Sequence, residues 1–555
     1  MNPLFKLFEA FSQFNIPKVK KKQNVIGALV TTLIILAMIA FVIDYVSLPT
    51  YNFHDQGFII LVIVYCGIFG FLMAVFTQSF GSFTKIPFSL AALLFAAMIV
   101  LNVLGSEPLN ASKFRDQIQI VETTDFDDAF DKVQLSQIPL IDWESASRLG
   151  DKKIGNIQGL GSQFNINSEY TLVSSGSNIY RISPLEYQDF IKWFQNRSEG
   201  IPGYIKVNVT DANDVDLIQL TTGITFSPSA FFSQDLLRHV RFTYRTEILQ
   251  DFSFEIDDEG NPFYVISVVK PEIGWFSGYD TSDVIVVDAI SGAMEKYAIE
   301  EMPRWIDRAQ PASIAWAQID NWGYYVNGFI NTMLGQKDMI QTTDGYNYVN
   351  IDNQTYMFSG MTSVGADRSI VGFALINLRT KEASYFKIGG ADEVSAMNSA
   401  AGQVQDLGYT ATFPVLLNIQ SVPTYFMSLK DAEGLIKQYA MVNVADYSLV
   451  AVGDNINETL KMYTDSLSSK GLIVIEESSA PWIEASLLDL KIVVENGSTH
   501  YYIRFSDDDA IYEVEGSSFI ELIFSNESDL VRYKAGLEGE QTTSLEDFDN
   551  LSLDY

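Results

Sequence analysis

Three apolar stretches in the first 105 residues constrain this chain more than anything that follows. Asn24–Val46 carries one acid, Asp44, near its end; Gly57–Phe80 and Ile86–Gly105 carry no charge. Each is about 20 residues long, enough to cross a hydrocarbon core of ~30 Å. Three such runs separated by short polar joints do not suit buried core helices. A cleaved signal peptide is a poor fit, because the first run is too long and further spans follow. The reading is three transmembrane helices at 24–105.

Flanking charge gives the orientation. Residues 1–23 hold Lys6, Lys18, Lys20, Lys21 and Lys22 against Glu9; the joint Ser47–Gln56 has no Lys or Arg, and the next joint carries Lys85. Basic flanks stay cytoplasmic, so a basic N-terminus (1–23) is expected inside and residues 106–555 outside. The spans read as an anchor rather than a pathway, since no ionisable group falls mid-membrane, where transport chemistry places them. Ala92 and Ala96 give a small-xxx-small step suited to helix packing, and Cys66 reads as an apolar filler.

The chain has 36 Lys and Arg against 69 Asp and Glu, a net charge of −33. Residues 1–104 hold six Lys and three acids, so the remainder is more acidic still. This excludes a nucleic-acid binder that neutralises phosphates, and it disfavours anionic lipid and wall polymers. No cysteine follows Cys66. A large outer region without disulfides points to a bacterium, one with a single membrane. The acidic runs Asp125, Asp127, Asp128, Asp131 and Asp507–Asp509 lack the order of a calcium loop. No metal site and no cofactor is expected.

The outer region contains an internal repeat. Phe252–Lys270 aligns with Phe413–Lys430 at an offset of 161, matching Phe252 to Phe413, Pro262 to Pro423, Tyr264 to Tyr425 and Ser267 to Ser428; further on, Val286–Ala289 aligns with Val442–Ala445 at 156. Each copy reads as a helix followed by alternating strands. In the second, Val394, Met397, Ala401 and Val404 recur at helical spacing and Gly408 is placed to stop the helix. A helix on a small antiparallel sheet is the economical solution.

The order helix, strand, turn, strand, then Val286-Val-Asp-Ala-Ile-Ser-Gly292 resembles a PepSY-type module. The second copy departs at Asp446-Tyr447. The whole arrangement, including Gly200–Asn208 and Met302–Arg308, is similar to an uncharacterised family of multi-pass membrane proteins from low-GC Gram-positive bacteria. The resemblance implies modules that bind or inhibit rather than catalyse.

Between the copies, Pro311 suits a helix N-terminus, and Trp305, Trp316 and Trp322 crowd into 18 residues. They read as a helix wedging two modules together, or as an aromatic groove for a partner. Near the end, Leu487–Val494, Asn496-Gly497 and Thr499–Phe505 form a hairpin signal. Ala510–Val514 and Phe519–Phe524 add two strands, and the acidic stretch after Gly536 reads as disordered.

The fold class is therefore α+β: three N-terminal transmembrane helices, repeated helix-on-antiparallel-sheet modules, and a small C-terminal β-meander or barrel. The expected divisions are 106–302, with a PepSY-like module at 229–300; a Trp-rich connecting helix at 303–345; a second module region at 346–475; a meander at 476–535; and a tail at 536–555. Catalytic signals are absent. His54, His239 and His500 are scattered, no phosphate loop or nucleophile elbow occurs, and Asp367-Arg368 reads as a turn. The sequence points to a non-enzymatic, membrane-anchored extracytoplasmic binding or regulatory protein that docks a protein or peptide at the cell-wall face. A structural subunit of an envelope complex and a wall-active hydrolase are the alternatives.

Overall fold

The computed structural model describes the chain apart from residues 1–23, 124–139, 474–480, 554–555 and the short segments 158, 176–177, 211–213, 352–353, 366–368, 496–497, 507, 509, 516–518, 520 and 539–541. The basic N-terminus, the acids at 125–131, Asp367-Arg368, Asp507, Asp509 and the Asn496-Gly497 turn lie outside the described residues.

Helices α1 (Val25–Ser47), α2 (Gln56–Thr77) and α3 (Ser82–Leu104) are long and apolar enough to cross a membrane, which makes this an integral membrane protein. Asn24 and Asp55 cap the first two, accepting from Gly27 N and Gly57 N. Polar groups tie the spans together: Thr32 Oγ1 donates to Met73 Sδ (3.5 Å), and Gln56 Nε2 to Asn102 Oδ1 (2.9 Å). A short helix, α4 (Glu107–Arg115), then turns the chain towards β1 (Ile120–Thr123).

The body divides into two compact units, residues 1–463 and 464–555. Within the first, two halves follow the same course. The first half runs α5 (Trp143–Gly155), β2 (Phe164–Ile166), β3 (Thr171–Ser175), β4 (Asn178–Tyr187), α6 (Phe190–Asn196), β5 (Ile201–Asn208) and β6 (Val215–Ile224). It continues with α7 (Leu236–Thr243), β7 (Ile248–Ile256), β8 (Pro262–Ile273), β9 (Ser277–Asp288) and β10 (Met294–Ala298). The second half runs α8 (Ala312–Tyr324), β11 (Ile340–Thr342), β12 (Asn347–Ile351), β13 (Gln354–Ser363), β14 (Ser369–Asn377), β15 (Ala383–Phe386) and β16 (Gly390–Ala391). Then come α9 (Glu393–Gln403), β17 (Thr410–Ala411), β18 (Val415–Ile419), β19 (Val422–Lys430), β20 (Ile436–Asn443) and β21 (Val450–Gly453). Each half is a helix with one sheet, antiparallel apart from the parallel β1–β15 pair in the second, then a second helix with an antiparallel meander.

The correspondence extends to register. In the first half Phe164 pairs Tyr187 and Thr171 pairs Ile182; in the second Ile340 pairs Ser363 and Asn347 pairs Phe358. All four positions shift by the same 176 residues (340 against 164, 363 against 187). Ser183 pairs Ile205 as Ser359 pairs Ala374, and Asn208 accepts from Thr210 N as Asn377 accepts from Arg379 N. In the meanders, Tyr264 pairs Val287 and Phe254, as Tyr425 pairs Val442 and Leu416. Ala289 N donates to Pro262 O, and Val444 N to Pro423 O.

These pairings move two of the expected matches by one residue. Phe252 pairs Ile266, and by register its counterpart is Pro414 rather than Phe413, because β7 turns through the five residues Asp257–Asn261 where β18 turns through Gln420-Ser421. Val287, not Val286, corresponds to Val442. The Trp-rich segment is also more than a connection. Helix α8 packs Ala312, Ala315 and Ile319 into the core of the second half, with Met357, Ala374 and Ile376. The expected boundary at 302 splits further, since β1 lies parallel to β15 (Ile120 opposite Ala383) and so belongs to the second half's sheet. Alternation marks a strand, but only three-dimensional packing chooses its neighbour.

The second unit is a closed barrel in the order β22 (Ile483–Glu495), β23 (Ser498–Phe505), β24 (Tyr512–Glu515), β26 (Thr543–Asn550), β25 (Leu530–Glu538). Two expectations are corrected here. Residues 521–524 form a short helix rather than a strand. The acidic C-terminal segment is not a disordered tail: β26 pairs β25 along its length and closes the barrel through Tyr512 opposite Thr543. Leu545 and Phe548 point into a core with Phe505 and Tyr533, whose rings stack at 3.8 Å, while Asp547 and Asp549 stay at the surface side. Acids on the wet face of a strand cost little when the dry face is filled.

Candidate functional site

A concavity with a volume of about 1030 Å³ lies in the first unit, where the two halves meet. The first half supplies Tyr170, Arg181, Ser253 and Tyr264; the second supplies Tyr346, Asn347 and Tyr348; Arg308 comes from the linker. Tyr170 and Tyr346 are counterparts under the 176-residue shift, as are Thr171 and Asn347, so the cleft forms where equivalent segments converge.

Its polar groups are unusual for their depth. Arg181 is 6% exposed and donates through Nε to Ile141 O (3.0 Å). Burial holds its pKa below the ordinary value, opposed by the charge of Asp142. Arg308 reaches Asp251 (3.3 Å), and its guanidinium lies 5.3 Å from the Tyr348 ring. Its Nε has no hydrogen-bond partner, nor do the buried hydroxyls of Tyr170 and Tyr264. Buried donors without partners are costly in a folded protein. Here all three belong to residues lining one cleft.

Behind the cleft wall lies a pair of buried acids. Glu255 is fully buried; its Oε1 accepts from Ser253 Oγ (2.7 Å) and its Oε2 from Asp307 N (2.8 Å). Asp307 Oδ2 accepts from Ser174 N (3.0 Å). Burial pushes Glu255 up to about 7, against hydrogen bonds that favour the carboxylate. Burial and the neighbouring Glu255 push Asp307 up to about 8. Arg379 fixes the linker by donating to the carbonyls of Met302 (3.1 Å), Pro303 (2.8 Å) and Ile306 (2.5 Å). These contacts join β3, β7, the 302–308 linker and β14's following turn.

The duplication separates structural from functional demands. Arg181, Ser253 and Glu255 correspond by register to Met357, Val415 and Leu417, which are ordinary buried apolar residues. The fold therefore does not need polar groups at these places. Only the first half carries them, and two of the three line the cleft.

The three tryptophans singled out in the sequence lie elsewhere. Trp305 packs on Phe263 (4.9 Å), Trp322 on Tyr385 (5.4 Å) and Trp316 on Tyr346 (4.9 Å); of these, only Trp316 touches a cleft-lining ring. The histidines are dispersed. His54 stacks on Trp275, His239 on Phe226, and His500 pairs with Glu513 (3.1 Å). Among the described residues no group of His, Cys, Asp and Glu could hold a metal. Asp508 accepts from Ala510 N and from Tyr512 Oη at the start of β24.

Sequence reasoning passed over Arg181, Ser253, Glu255, Asp307 and Arg308. Two signals were present. Glu255 interrupts an apolar strand, and Asp307-Arg308 closes the Met302–Arg308 stretch.

No protein-family model and no curated protein sequence matches the chain. Among solved structures, an exo-1,5-alpha-L-arabinanase from a bovine ruminal metagenomic library is 9% identical, with 68% of this chain and 95% of that chain covered and a TM-score of 0.16. A B. megaterium levansucrase mutant is 10% identical, with 78% and 98% covered and a TM-score of 0.18. A Cellvibrio cellulosa alpha-L-arabinanase is 12% identical, with 68% and 94% covered and a TM-score of 0.14. At such overlap these likenesses carry no argument about fold or chemistry.

Proposed function

We propose that this chain is a membrane-anchored extracytoplasmic binding or regulatory protein, non-enzymatic, that seats a segment of a protein or peptide partner in the cleft between its halves. One observation carries the reading: buried Arg181, with Ser253, lines the cleft in the first half where the second half has Met357 and Val415. A guanidinium in such a place suits a carboxylate or a row of peptide carbonyls, and the tyrosine rings offer rigid contact area. The helix-on-sheet pattern of each half fits the PepSY resemblance, whose modules bind or inhibit. Glu169, Asp235 and Asp251 line the cleft beside Arg181 and Arg308, so it presents both charges to a polar segment.

Replacing Arg181 by Met copies the second half's own solution and should leave the fold intact. Full-length protein in native-like membranes, used as bait against envelope extracts, should retain a partner that Arg181→Met and Arg308→Gln release. Equal capture by wild type and both variants, with unchanged melting, would remove the cleft from the binding reading.

A further inference from the structure

The residues that fasten the body to its anchor also fix where its surface meets lipid. Tyr45 stands at the body-side end of α1. Arg238, on α7, donates to Tyr45 O (3.3 Å) and lies over the Tyr45 ring at 4.5 Å. Arg245 pairs with Asp44 (3.1 Å), and Phe242 lies 6.4 Å from Tyr45. The α1–α2 joint adds Tyr51 N to Arg245 O (2.8 Å), and Trp275 Nε1 to Phe53 O (2.8 Å). Helix α7 is thus held at the level where α1 leaves the hydrocarbon.

A group of exposed aromatic rings adjoins this helix. Phe231 and Phe232 lie just before α7, and Phe190 meets them at 5.2 Å and 6.2 Å; Phe194 meets Phe190 at 6.2 Å. All four are between 37% and 53% exposed. Phe232 has φ +55, a conformation that a bulky residue adopts at a cost. Lys192 lies on α6 between Phe190 and Phe194, and Arg197 follows that helix; of the arginines on and after α7, Arg238 pairs with Asp235 (3.9 Å), Arg245 with Asp44 (3.1 Å) and Arg241 is buried. Arg197 lies 4.2 Å from the Phe194 ring at the rim of the patch.

We propose that the patch formed by Phe190, Phe194, Phe231 and Phe232 sits in the headgroup and upper acyl region of the leaflet from which α1 emerges. Aromatic rings are favoured at that depth, and a basic rim suits anionic headgroups. Leu237, at the start of α7, also lines the large cleft, so this contact sets the cleft close to the bilayer surface.

The test uses the full chain in nanodiscs of phosphatidylcholine and phosphatidylglycerol. Cys66 is replaced by Ala, and an environment-sensitive fluorophore is placed at Phe232→Cys, at Phe194→Cys, or at the exposed Leu435→Cys of the second meander. The 232 and 194 labels should emit at shorter wavelength, lose most of their emission to lipids carrying a nitroxide high on the acyl chain, and resist aqueous iodide. The 435 label should show the reverse. Iodide quenching at 232 and 194 without lipid quenching would overturn the proposal and leave the patch to a protein partner. Lipid quenching of all three labels would overturn it as well.

Discussion

Glu255 and Asp307 show what a buried carboxyl does to stability. Their ordinary values are 4.5 and 3.8, and the fold raises them to about 7 and about 8. A carboxyl with a raised folded pKa binds its proton more tightly in the native state. Its contribution is fully present below the unfolded pKa and is lost as pH rises through the folded one. The protein should therefore melt at progressively lower temperature as pH is raised from about 4 to about 8. Glu255→Gln and Asp307→Asn, which keep acceptor oxygens for Asp307 N and Ser174 N, should each flatten that slope. Calorimetry at several pH values checks this. An unchanged slope in both variants would mean that neither acid is neutral in the folded protein at neutral pH.

Among the elements, the β5–β6 pair depends on a close backbone approach. The register shifts between Ile201 and Gly203, and a Cβ on Gly203 would stand 1.9 Å from Ile218 O. Backbone cannot yield as a flexible side chain can. Gly203→Ala should cost on the order of 1–3 kcal/mol, within the range for overpacking, read as a lowered melting midpoint. Gly200 enters the same strand at φ +79. These two positions account for the Gly200-Ile-Pro-Gly203 spacing that stood out in the sequence. The strands themselves were legible from alternation, as were the meander hairpins from their turns. The wider duplication was not. Hydrogen-bond register preserves it through residues as different as Phe164 and Ile340, because a sheet fixes which positions face inward and not which apolar residue fills them.

The whole molecule separates into units that should behave differently. Residues 464–555 form their own barrel around Phe505, Tyr512 and Tyr533. Expressed alone, this segment should fold and melt in one cooperative transition. Removing 543–550 should abolish that transition, because it deletes the strand that joins β24 to β25 and opens two edges. Retention of the transition would show that β26 is dispensable and that the acidic segment contributes nothing to the core.

The sequence by itself determined the three spans, the α+β pattern and the two meanders, because length, hydropathy and alternation are properties of neighbouring residues. Tertiary structure decided that β1 joins the sheet of the second half, that the acidic C-terminal segment closes a barrel, and that of Trp305, Trp316 and Trp322 only Trp316 reaches a ring of the cleft. It also decided that Arg181 and Arg308 meet in one cleft with Glu255 and Asp307 behind it. A strand's pattern says that it has a dry face, but partners far along the chain decide what lies against that face. A buried charge acquires its meaning only from those partners. Here Met357 and Leu417 supply the comparison, occupying in the second half the places that Arg181 and Glu255 hold in the first.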